Sequence, residues 1–162
     1  MMRELQQLWS SLQDPEYLHL LLEPLPVFGL GLGMIFLLAG LLMNQSKVRI
    51  LALAVIIASA GSVHWYLKMR IATEPRVAAT ISPTFHPLIK EQTERRQATA
   101  WIYYTVAVAG IIGLFAGSGG RSSIVIYLVL AIVAAAFVHS IWLHKKECEV
   151  YHRNIVRYVS PK

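Results

Sequence analysis

Apolar and polar positions in this chain segregate into long blocks. Four stretches are almost free of charge: 24–43, 48–67 (with Arg49 at its mouth), 98–118 and 122–144. Each has about 20 residues, the length at which a helix crosses a ~30 Å hydrocarbon core. The blocks are continuously apolar and lack the alternation of a membrane barrel strand, so helices are the spanning form they predict. Asn44-Gln45-Ser46-Lys47 joins the first two blocks, and the glycine-rich run from Gly117 to Ser122 joins the last two. Short polar turns of this kind predict two antiparallel hairpins, separated by a central segment, 68–97. The predicted fold class is all-α: an integral membrane four-helix bundle made of two parallel-repeat helical hairpins.

The flanks divide the chain further. In 1–23, Met2, Leu5, Leu8, Trp9 and Leu12 recur at three- to four-residue steps. That is one apolar face of a short interfacial helix. Asp14-Pro15-Glu16 reads as the cap and first two positions of another short helix, whose Tyr17, Leu18, Leu21 and Leu22 are expected at headgroup level. The prolines and small polar residues between Thr73 and Phe85 predict a loop. His86-Pro87 predicts a helix entry that continues into the third span, with Glu91 and Arg95 paired on a solvated face. The tail, 145–162, extends the fourth helix, with Glu149 and Arg153 at the same spacing.

Composition agrees with a membrane class. The 162 residues are 56% hydrophobic and 15% charged, whereas soluble domains average about 45–50% and about 25%. The single cysteine, Cys148, excludes a disulfide within the chain. Of the fifteen lysines and arginines, only Lys47, Arg49 and Arg121 fall on the side of the two short turns, and all nine acidic residues fall on the other. The positive-inside rule then puts both termini in the cytoplasm. The +6 net charge is a topology signal, since no element for reading nucleic acid accompanies it. The compact layout and the lack of a signal-peptide pattern in 1–23 point to a bacterial inner membrane.

Small residues mark close-packing faces: Gly29, Gly33 and Gly40 on the first span, Ala54, Ala58 and Gly61 on the second, Thr105, Ala109, Gly113 and Gly117 on the third, and Ala131, Ala135 and Ala136 on the fourth. They suit packing within a bundle, against other membrane subunits, or against a second copy of the chain. The second helix of each half carries a histidine near its cytoplasmic end, His64 and His139. Each follows a small pair, Ala60/Gly61 and Ala135/Ala136, and each precedes a tryptophan. A parallel repeat sets the two at similar depth. Ionisable groups at such depth are a functional hypothesis by default, and imidazoles on facing helices supply both axial ligands of a haem b. The small residues one turn away leave room for the macrocycle. One such histidine alone suits a chlorophyll-type pigment. Interfacial hydrogen bonding is the bland reading of the same histidines. Zinc is disfavoured, because a structural site wants four close ligands. A proton relay through His19, Glu23 and His86 lacks a second acidic group to receive the proton. No phosphate-binding, nucleophile-elbow or HExxH pattern is present.

The run His19-Leu20-Leu21-Leu22-Glu23-Pro24-Leu25-Pro26, with His86 before the third span, resembles a broad group of small bacterial four-helix membrane proteins of unassigned function. That resemblance implies candidate haem binding and would add His19 and His86 to the ligand set. Glu23 and Pro24 stand where those proteins carry a second histidine. The expected function is a small non-catalytic subunit of an inner-membrane redox or light-driven complex, with a haem b or related tetrapyrrole on His64 and His139. The alternative is a cofactor-free scaffold or assembly subunit.

Overall fold

The computed structural model describes residues 2–80, 82–117 and 123–151. The run 118–122, with Arg121 and the expected cap Ser122, lies outside them, as does the tail beyond Tyr151, including Arg153, Ile155 and Tyr158. The described residues hold six helices and a short 3-10 turn, and no strand. The helices are α1 (Met2–Ser11), α2 (Pro15–Leu22), α3 (Leu25–Leu42), α4 (Ser46–Thr80), α5 (His86–Gly117) and α6 (Ser123–Tyr151). Four helical stretches are long and apolar enough to cross a membrane: Pro15–Leu42, Ser46–Thr80, Pro83–Ala116 and Ile124–Cys148. The helices α3, α4, α5 and α6 pack in a closed ring, each against the next and α6 back against α3. Their shared core holds Leu30, Leu37, Leu53, Ile56, Val106, Val129 and Val133, all at most 3% exposed.

Glycine sets the closest contact, between α3 and α4. A Cβ on Gly29 would stand 1.8 Å from Ser59 Oγ, and one on Gly33 would stand 2.5 Å from Ile56 Cγ1. Gly40 lies against the backbone of Arg49, where a Cβ would come within 2.9 Å of the amide nitrogen. The expected glycine face of the first span is therefore a packing face of the bundle. The small faces of α4 and α6 behave differently: Ala54, Ala58, Ala131 and Ala135 are exposed. The α3–α4 turn closes by a paired motif, in which the Asn44 amide donates to the Leu41 carbonyl and the Gln45 amide to that of Gly40. Asn44 takes the left-handed conformation this requires, at φ 52°.

One connection departs from expectation. The loop expected over 73–85 is helical as far as Thr80, with Pro75 inside α4. Proline there removes one helical hydrogen bond. The turns around it are held by tertiary contacts. Thr73 is buried, and Arg76 beyond the proline reaches Asp14 and Glu16, at 3.2 and 3.3 Å. The short helix α2 packs along α4 and leaves Tyr17, Leu20 and Leu21 exposed. Its cap is as expected: the Glu16 amide donates to Asp14 Oδ1 at 2.8 Å, with Pro15 at the first helical position. The α5 entry at His86 and the Glu91–Arg95 pair also agree with expectation.

Gly29→Ala should destabilise the bundle by about 1–3 kcal/mol through overpacking. Gly61→Ala, where nothing lies within 4 Å of the new methyl, should be neutral or stabilising by up to ~1 kcal/mol. Thermal melts of both variants in detergent check this; equal losses would refute the contact. The Glu16 amide and Arg76 hold the Asp14 carboxyl below its ordinary value of 3.8. A depressed value contributes stability that is complete above pH 3.8 and is lost as the pH falls through the lower folded value. Measured against the intrinsic rate at each pH, the hydrogen-exchange protection of the α2 amides should therefore fall below pH 3.8 as the carboxyl is protonated, and this acid step should be absent in Asp14→Asn.

Candidate functional site

Where the helices run past the apolar ring, three buried charges meet. They are Arg70 on α4, Arg96 on α5 and Glu147 on α6, at 5%, 7% and 3% exposed. Glu147 Oε1 accepts from Arg70 Nη1 and from Arg96 Nε, both at 2.6 Å, and Oε2 accepts from Arg96 Nη2. Arg70 also donates to the Tyr66 hydroxyl at 2.5 Å and to Thr93 Oγ1 at 3.2 Å. The Arg96 guanidinium lies 4.9 Å from the centre of the Tyr66 ring. Burying charges costs several kcal/mol per ion unless pairing and hydrogen bonds offset it, and here one carboxylate serves two guanidiniums on two other helices. Just below, the Tyr103 hydroxyl meets Ser140 Oγ at 2.8 Å. Ser140 gives its own proton to the Ala136 carbonyl, so Tyr103 is the donor.

The helix α2 is seated on this cluster. The His19 ring stacks on Tyr66, with centroids 5.0 Å apart and planes at 22°. Its Nε2 is enclosed and has no hydrogen-bond partner among the described residues. Ligand atoms of Glu23, His144 and Glu147 lie within 4.8 Å of one another, and Cys148 Sγ is 3.7 Å from His144 Nε2. These groups line a cleft of about 700 Å³ between α2, α4 and α6, whose apolar walls include Leu20, Pro24 and Val77. The carboxyl and imidazole spacing suits a divalent cation, but both Glu147 oxygens already serve arginines, and two guanidiniums oppose a further positive charge.

The histidines expected as paired ligands are in different surroundings. His64 is exposed; its ring lies edge-on to Trp65, and its Nδ1 is 3.5 Å from the Tyr104 hydroxyl. His139 is half-buried between Tyr103 and Trp142, with its Nε2 enclosed and unpartnered. The described contacts of the two rings do not include each other. Ala60 and Ala136 belong to the core, Ala135 is exposed, and Gly61 has open space beside it. His139 Nε2 is an unpartnered ligand atom, but it has no open surface, and none of the described cavities is lined by His139 or His64, so the described residues leave no space for a macrocycle at either ring. His19 lines the cleft; His86 opens α5 and is not among the cleft's lining residues.

By sequence alone Arg70 and Arg96 read as topology charges and the charged run of α5 as a solvated face. Gln92, Thr93 and Arg96 are in fact buried there. A readable signal existed. Val129, Val133, Ala136, Ser140, Leu143 and Glu147 step by three and four along one buried face of α6, so Glu147 continues the core stripe past its last apolar member. Ile89, Thr93, Arg96, Ala100 and Tyr103 do the same on α5. The chain matches no protein-family model, no curated protein and no solved structure.

Glu147→Ala strands two buried guanidiniums and should cost about 3–5 kcal/mol, whereas Glu91→Ala, which breaks an exposed pair, should cost under ~1 kcal/mol. Melts of the two variants in detergent decide this, and similar melting points would remove Glu147 from its central role.

Proposed function

We propose that the chain is a non-catalytic subunit of a bacterial inner-membrane complex, crossing the bilayer four times as two hairpins in parallel repeat with both termini in the cytoplasm. The observation that carries this is the apolar exterior of the ring. Phe28, Ile35, Ile50, Trp101, Val108, Phe115, Ile124, Leu128 and Val138 are all more than half exposed. Monomeric soluble proteins rarely leave contiguous apolar surface of that extent in water, and lipid or partner helices cover it. The excess of lysine and arginine beside the buried charge cluster supports the orientation.

In the redox or light-driven form of this reading, His139 holds the metal of a tetrapyrrole. Its unpartnered nitrogen offers one ligand atom, as in a chlorophyll-type pigment or a haem b with one protein ligand, and the side chains that enclose it would have to open for the macrocycle. The exposed setting of His64 gives less support to a bis-histidine haem. The resemblance to four-helix candidate haem binders points to the same chemistry, with His19 and His86 as further ligands. The second reading is the cofactor-free scaffold. It is supported by the exposed apolar side chains Met2, Leu5, Leu8 and Trp9 of α1 and by the open small faces of α4 and α6, which suit another subunit or a second copy.

Absorption spectra of the purified protein, expressed with ample haem and its native partners, separate these readings. A Soret or far-red band lost in His139→Ala and kept in His64→Ala is expected for single-histidine ligation. Loss in both variants would indicate the bis-histidine site. A colourless protein would leave the scaffold.

A further inference from the structure

We propose that the cleft between α2, α4 and α6 binds a neutral amphiphile whose head carries a carbonyl or hydroxyl oxygen and whose tail runs along the apolar exterior. That is the shared chemistry of a membrane quinone and a diacylglycerol. The inference rests on the reading of the bundle as membrane-spanning, because the bilayer is where such a ligand resides.

Four observations carry it. The volume, about 700 Å³, is that of a small-molecule site. The cleft lies at the boundary between the charged cluster and the apolar ring, with Leu20, Pro24 and Val77 on its walls and His19, Glu23 and His144 at its polar end. Charged groups of both signs stand around it: Arg70 and Arg96 beside Glu23 and Glu147, and Arg76 paired with Asp14 and Glu16. An anionic head would meet the carboxyl groups of Glu16, Glu23 and Glu147, and a cation would meet the Arg70 guanidinium. Finally, His19 Nε2 is enclosed without a partner, a state that costs free energy until a hydrogen bond is made. A neutral imidazole nitrogen either donates to a carbonyl or accepts from a hydroxyl, according to its tautomer. Stacking on Tyr66 holds the ring beside the cleft, and because Nε2 has no open surface in this conformation, the ring or a cleft wall shifts slightly as the bond forms.

The experiment uses the full chain in phosphatidylcholine nanodiscs, titrated separately with decylubiquinone, 1,2-dioctanoylglycerol and dodecyl phosphate. Saturable binding of one neutral probe per chain is expected, and the probe that saturates identifies the source. His19→Phe, which keeps a ring for Tyr66 and removes the nitrogen, should weaken it about tenfold. Leu20→Trp, which narrows the cleft and leaves the charged cluster alone, should weaken it similarly, and Glu91→Gln, at an exposed position on α5 outside the cleft, should leave it unchanged. Variants are compared only at matching helical content and melting temperature. Non-saturable partitioning that is identical in wild type and both cleft variants overturns the proposal, and so does tighter binding of dodecyl phosphate than of either neutral probe. Failure to enter nanodiscs, before any probe is added, overturns the spanning reading instead.

Discussion

One carboxylate organises the charged end of the molecule. Glu147 has both oxygens engaged by Arg70 and Arg96, so the extensions of α4, α5 and α6 share a single electrostatic joint. The cost of removing three charges from water is offset only while all three are present and aligned. That condition makes the joint a register pin. A slip of any helix by one residue, about 1.5 Å along its axis, would break the paired bonds that Glu147 makes to both guanidiniums. The seating of α2 follows from the same joint, because Tyr66, which receives a bond from Arg70, is also the surface on which His19 stacks.

The other end is held by a different kind of force. There α3 and α4 approach so closely that Ser59, Ile56 and Arg49 occupy the space of missing side chains, and attraction comes from dispersion over many short contacts. Such packing is spread over many pairs, and each is intolerant of added volume. The bundle therefore combines a directional joint beside its termini with close, non-directional packing toward the α3–α4 turn. The cleft lies beside the joint, where polar groups are already rigidly placed.

What was legible in the sequence was local. The apolar blocks, the Asp14-Pro15-Glu16 cap and the glycine face of the first span all depend on neighbours within a turn or two, and each is found as expected. The buried joint links residues 77 and 51 positions apart, and a charge near a helix end gives no local sign of its partner. Only the continuation of the three-and-four stripe through Glu147 and Arg96 hinted at burial. The histidine repeat illustrates the complementary limit. Counting residues gives depth along a helix, but azimuth decides company, and His64 follows the buried Val63 by about 100° of turn. Pro75 misled for a related reason: a local breaker was outweighed by the tertiary tie of Arg76 to Asp14 and Glu16.

The sequence distance across the joint also has a temporal meaning. During synthesis Arg70 emerges 77 residues before Glu147, so until then Glu23 is the carboxyl group of the cluster already made. The C-terminal helix α6 supplies the carboxylate that takes both guanidiniums. The joint of this fold is thus complete only with its last helix, and a chain stopped before Glu147 would lack it.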